Sequence, residues 1–135
     1  MLAKYFRSAS PAGRRQAALR AAQMAVALTG LESDAANQAL EILRRGKDVD
    51  TSVQEQVRSA AEALDDEYLN LAEDNAASPL ARRFFAHARA ASAVAFAAQS
   101  DVNQLHEAIY EALVAVEDAK ELTTSVLEAL ASTID

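Results

Sequence analysis

The sequence predicts an all-α fold, a compact bundle of five or six mostly antiparallel helices around a central alanine-rich helix at about 79–99. Three observations predict it. The chain holds 33 alanines against seven Phe and Tyr combined and no Trp. Alanine loses no side-chain entropy on entering a helix, whereas a sheet draws on Val, Ile, Thr and aromatics. Only 3 Gly and 2 Pro interrupt the chain, and between them apolar residues recur at helical spacing. At 135 residues and 51% hydrophobic content, residues 1–135 form one domain with one core rather than a disordered chain.

The elements follow in order. Leu2–Arg7 makes a short helical start that places Leu2, Tyr5 and Phe6 together. Ser10-Pro11 reads as an N-cap followed by proline at the first helical position. That helix runs to about Leu28, with Leu19, Ala22 and Val26 on one face, and Gly30 stops it. Ser33 caps a shorter helix carrying Ala36, Leu40 and Leu43, ended by Gly46. Thr51 with Gln54 reads as a capping box. Val53, Val57, Ala60, Leu64, Tyr68 and Leu71 then form an apolar stripe ending near Asn75.

Ser78-Pro79 repeats the proline start and opens the segment 79–99. After Arg89 that segment is apolar nearly all round, with Ala86, Ala90, Ala93 and Ala97 along one ridge. A helix apolar on every face belongs at the centre of a fold, so this one is predicted to be the most buried. Ser100 or Asp101 caps the next helix, which carries Val102, Leu105, Ile109, Leu113 and Val116. Thr123-Thr124-Ser125 weakens a helix interior and predicts a break, with a sixth helix restarting at Ser125 and Glu128. The alternative is one helix from 102 to about 132.

Whole classes of chemistry find no support in the residues. The chain has no cysteine, which removes disulfides, thiolate zinc sites and cysteine nucleophiles. Its two histidines, His87 and His106, stand in no Glu-x-x-His arrangement, because Phe84 and Asn103 precede them by three. His106 reads as a surface residue, and His87 as a partly buried ring with a hydrogen-bond partner. Neither a phosphate-binding loop, a dinucleotide fingerprint nor a nucleophile elbow occurs. The expectation is therefore no enzyme, no cofactor and no metal. No run of about 18 uncharged apolar residues is present to span a membrane. The Arg- and Ala-rich N-terminus is read as a basic first helix rather than a transit peptide. Together these predict a cytoplasmic protein.

Charge is what distinguishes the chain. The net value is −7, and it is segregated: residues 1–30 carry five basic and no acidic residues, while 50–75 and 101–135 each carry eight acids and one base. The densest group is Glu62, Asp65, Asp66, Glu73 and Asp74, with Glu67 beside them. Three adjacent acids spread over about 200° of a helix and do not converge on one ion, but Glu62, Asp66 and Glu73 share a face. This face is the predicted site for a partner, another protein of basic character. Nucleic acid is excluded by the negative balance. Arg14, Arg15, Arg82 and Arg83 sit at helix starts, where the macrodipole disfavours cations. They are expected to answer acids elsewhere, including the 62–74 group.

The segment Ala81–Ala98 (ARRFFAHARAASAVAFAA), preceded by LDDEYLNLAED, resembles the central helices of some all-helical bacterial immunity proteins. The resemblance covers about a third of the chain and is compositional, so it transfers no functional residue. It implies a cognate toxin domain as the basic partner. Two other readings stand beside it. The apolar stripe of 102–130 suits a homodimer or larger homo-oligomer. A small-ligand binder or enzyme would use His87, Tyr68 or Tyr110 together with the carboxylates.

Overall fold

The computed structural model describes residues 2–99, 101, 104–116 and 118–131, with the side chain of Leu2 excepted. Seven helices account for most of them: α1 (Leu2–Ser8), α2 (Pro11–Thr29), α3 (Asp34–Arg44), α4 (Thr51–Asn75), α5 (Pro79–Ala97), α6 (His106–Ala115) and α7 (Lys120–Ala131). No strand occurs among the described residues. The number exceeds five or six because the N-terminal start is a helix of its own. It buries Phe6, but Tyr5 points outward at 42% exposure, so the two do not act together.

The local signals do what their chemistry requires. The hydroxyls of Ser10, Ser33 and Ser78 accept hydrogen bonds from the backbone N–H of Gly13, Ala36 and Ala81, each three residues on. These donors have no partner within their own helices. Gly30 and Gly46 lie at φ 72° and 74°, the left-handed region where a Cβ is strained. One cap differs from expectation. Asp50, not Thr51, is the N-cap of α4, and its Oδ1 accepts from the Val53 N–H at 2.9 Å. Gln54 Nε2 donates to the Val49 carbonyl instead of closing a capping box on Thr51. A carboxylate at the cap also meets the helix dipole with the favourable sign.

The C-terminal helices divide elsewhere than predicted. Val116 is extended (φ −101°, ψ 143°) and ends α6. Thr123, Thr124 and Ser125 lie inside α7, where the break was expected. Two of the three hydroxyls are absorbed there: Thr124 Oγ1 donates to the Lys120 carbonyl, and Ser125 Oγ accepts from Arg20 on α2. The helical start expected at Val102 involves Ser100, Val102 and Asn103, which lie outside the described residues. The described part of α6 begins at His106.

α5 packs against α2, α3, α4 and α6, and α2 packs against α3, α5, α6 and α7. The centre is therefore shared. α5 buries Ala81, Ala88, Ala90, Ala91, Ala93, Val94 and Ala97, and α2 buries as many, six of them alanine, glycine or both kinds of small residue beside Leu19. Small side chains let helix axes approach toward the short end of the usual range, about 8 Å. Leucines and valines fill the remaining space, with Leu105, Leu122, Leu130, Val57, Val94 and Val126 fully buried. No polar residue is buried among the described residues. The contacts Asp65–Arg89 and Tyr68–Phe85 show that α4 and α5 run antiparallel.

Candidate functional site

One face of α5 is not covered by alanine packing. Phe85, Arg89, Ser92 and Phe96 recur at intervals of three or four and are only half-buried. α4 lies to one side of this strip and α6 to the other. Arg89 ties both walls to it. Its Nη2 donates to Asp65 of α4 at 2.7 Å, and its Nη1 donates to Glu111 of α6 at 2.9 Å. Burial opposes the charge of this guanidinium, but the hydrogen bond to Asp65 and the fields of Glu111 and Asp65 together hold its pKa above the ordinary arginine value. The planar fork suits two carboxylates approached from different helices. Its Nε finds no hydrogen-bond partner.

This bridge divides the predicted acidic group. Asp65 turns to Arg89 and is paired with it at 37% exposure. Glu62, Asp66, Glu73 and Asp74 are exposed. Glu62, Asp66 and Glu73 stand on one stripe of α4 with Leu69, at spacings of four, three and four residues. Asp74 lies about 100° further round the helix. Leu69 is 58% exposed. In the sequence the acids stand out by their density, whereas this leucine is marked only by falling one turn after Asp65 and outside the apolar stripe. A cavity of about 300 Å³ adjoins the same stripe, lined by Arg58, Ala61, Glu62, Asp65, Ser92, Ala95, Phe96 and Gln99.

Among the described residues, no ion pair joins Arg14, Arg15, Arg82 or Arg83 to the 62–74 acids. Arg14 donates to the carbonyls of Phe6 and Arg7 and lies 5.3 Å over the Phe6 ring. It thereby satisfies acceptors at the end of α1. Arg89, from the middle of α5, is the arginine that reaches Asp65. In the sequence Arg89 marks only where the apolar part of the segment begins, since its partners Asp65 and Glu111 lie 24 and 22 residues away.

The histidines are also placed. His87 Nε2 donates to the Thr29 carbonyl at 2.8 Å, which caps the end of α2. Its ring borders a cleft of about 410 Å³ with Gly30, Leu31, Glu32, Ser33, Ala60 and Leu64. His106 is on the surface and approaches Glu107 at 3.1 Å, a pairing that adjacent helical positions did not lead one to expect. Tyr68 packs on Phe85 with ring centroids 5.1 Å apart. Phe85 and His87 point about 200° apart around α5, so Tyr68 and His87 do not share a site. Tyr110 is 61% exposed on α6. Among the described residues, no three His, Asp or Glu side chains converge as metal ligands. No described helix is long and apolar enough to cross a membrane.

No family model, curated protein or solved structure matches the chain. Its function has to be read from its own surface.

Proposed function

We propose that this is a non-catalytic binding protein that holds a basic partner protein on the outer stripe of α4. The observation that carries the reading is Leu69, 58% exposed and framed by Glu62, Asp66 and Glu73. A single exposed leucine is ordinary on a protein surface. This one adds an apolar contact, worth about 1.5–3 kcal/mol when fully covered, to a surface whose charge steers a cationic partner toward it. From Ser59 to Ala81 the chain has six acids and no Lys or Arg, and Arg89 offsets one of the six. The likeness of 64–74 and 81–98 to immunity proteins supports a toxin domain as that partner and a cytoplasmic setting for the encounter.

Capture from native lysate tests this directly. The wild-type chain should retain one basic protein, identified by mass spectrometry. The double variant Asp66→Lys and Glu73→Lys should lose at least tenfold in affinity, about 1.4 kcal/mol. Unchanged capture by a variant of unchanged helicity would overturn the reading. The exposed pair Tyr110 and Val114 on α6 (61% and 37%) favours a second reading, a homodimer through that helix. Light scattering separates the two.

A further inference from the structure

The groove along α5, flanked by α4 and α6, has two apolar stations with the Arg89 bridge between them, the first lined by α4, α5 and the residue Gln99 that follows α5. The first is the cavity of about 300 Å³ at Ala95 and Phe96, with Glu62 and Arg58 on its rim. The second is marked by Leu69 on one wall and Val114 on the other, 58% and 37% exposed. Leu69 follows Asp65 by four residues, and Val114 follows Glu111 by three. α4 runs antiparallel to α5. α6 does too, since Glu111 meets Arg89 while Ala115 and Val116 border a cavity with Pro79 and Ala86. Leu69 and Val114 therefore lie on the same side of the bridge, toward the start of α5.

From Glu62, at the first station, to Leu69, at the second, is seven residues, about 10.5 Å along the helix. Two turns of any helix laid in the groove span the same distance, so side chains at i and i+7 reach both stations. Apart from Arg58 on the rim of the first station and Arg89, which is paired with Asp65 and Glu111, the charge on the walls is negative. Glu62, Asp66 and Glu73 are exposed along α4 and Glu107 stands on α6, while Glu111 is taken up by Arg89. Neither 59–81 nor 101–116 contains a Lys or Arg. A second copy of this chain is a poor occupant, because a two-fold contact on this face sets the acidic stripe against itself.

We infer that the groove takes a basic amphipathic α-helix with apolar side chains seven residues apart and Lys or Arg between them. This rests on the binding role proposed above and specifies the shape of what is bound.

Two synthetic helical peptides of about 15 residues, roughly 22 Å long, test it against the full-length chain by fluorescence anisotropy. They share the same Lys and Arg content. One carries Leu at two positions seven apart, and the other carries Ser there. The Leu peptide should bind at least tenfold more tightly, and Leu69→Ser in the protein should abolish most of that difference. Equal binding of the two peptides, lost in the Asp66→Lys and Glu73→Lys variant, would overturn the helical fit while leaving the acidic-face reading intact. Binding of neither peptide also overturns the helical fit, and lysate capture by the same double variant then decides the broader reading separately. A dimer in light scattering that Leu69→Ser dissociates would assign the groove to a second copy instead.

Discussion

α4 and α5 are the two helices that pack against each other along the candidate site, and they use their length in opposite ways. α5 has 19 residues and buries seven, spread from Ala81 to Ala97. α4 has 25 and buries three, Val53, Val57 and Ala61, all in its first half. Beyond Ala61 its contacts with α5 are partial: Leu64, Tyr68 and Leu71 are half-buried, and Asp65 is held by Arg89. The first half of α4 is thus a core element, while the second is a helix laid on the core with its outer face open. A helix buried throughout has little surface left for recognition. One anchored at one end and tied down further along by Asp65–Arg89 and Tyr68–Phe85 presents a stripe of stable geometry to a partner.

The sharpest way to break this contrast is to enlarge one alanine on each helix. Ala93 is fully buried, so Ala93→Leu should overpack α5 at a cost of about 1–3 kcal/mol. Ala63 on α4 is exposed, and Ala63→Leu should stay within about 0.5 kcal/mol of wild type. Urea unfolding midpoints measure both. Equal effects would show that α5 is not central.

A smaller effect is expected at the bridge. Arg89→Ala leaves Asp65 and Glu111 facing each other without their shared cation. Glu111 is 12% exposed and Asp65 37%. The loss should be about 1–2 kcal/mol, below the value for a fully buried pair because solvent reaches Asp65. A double-mutant cycle with Asp65→Ala should give a coupling of about 0.5–1.5 kcal/mol. Zero coupling would mean that α4 is held to α5 by packing alone.

The start of α4 offers a third test. Asp50→Ala should cost about 1 kcal/mol as a lost N-cap, and Thr51→Ala should cost less. The reverse order in thermal melts would restore Thr51 as the cap.

The smallest effect lies on α3, away from the groove. Glu41 accepts hydrogen bonds from Arg44, and the Arg44 and Arg45 guanidiniums keep its pKa at about 2 rather than 4.5. A folded-state pKa below the unfolded one stabilises the protein above about pH 4.5, and that contribution fades as pH falls through about 2. Glu41→Gln should therefore differ from wild type near neutrality and converge with it near pH 2. The pair is exposed, so the difference is small. An NMR titration midpoint near 4.5 for Glu41 would exclude it.

The local features of this fold were legible because their causes lie within a few residues. Ser10, Ser33 and Ser78 cap helices by bonding three positions ahead, and Gly30 and Gly46 end them by adopting a backbone angle other residues avoid. The helix boundary at Thr51 was readable to within one residue, since Asp50 and Thr51 are both good caps and only the observed backbone chooses between them. The alanine content determined that helices would form and pack closely. It did not determine which of two small-residue helices would lie deeper, and α2 proved equal to α5.

Tertiary structure alone decided the rest, because the deciding partners are distant in the chain. Ser125 sits comfortably in α7 since Arg20, 105 residues earlier, donates to it. Asp65 leaves the acidic group because Arg89 and Glu111, on two other helices, complete its bridge. Leu69 is the centre of the candidate site because no described helix covers it. Residue type and spacing constrain what a helix can bury, and the arrangement of its neighbours settles what remains in water.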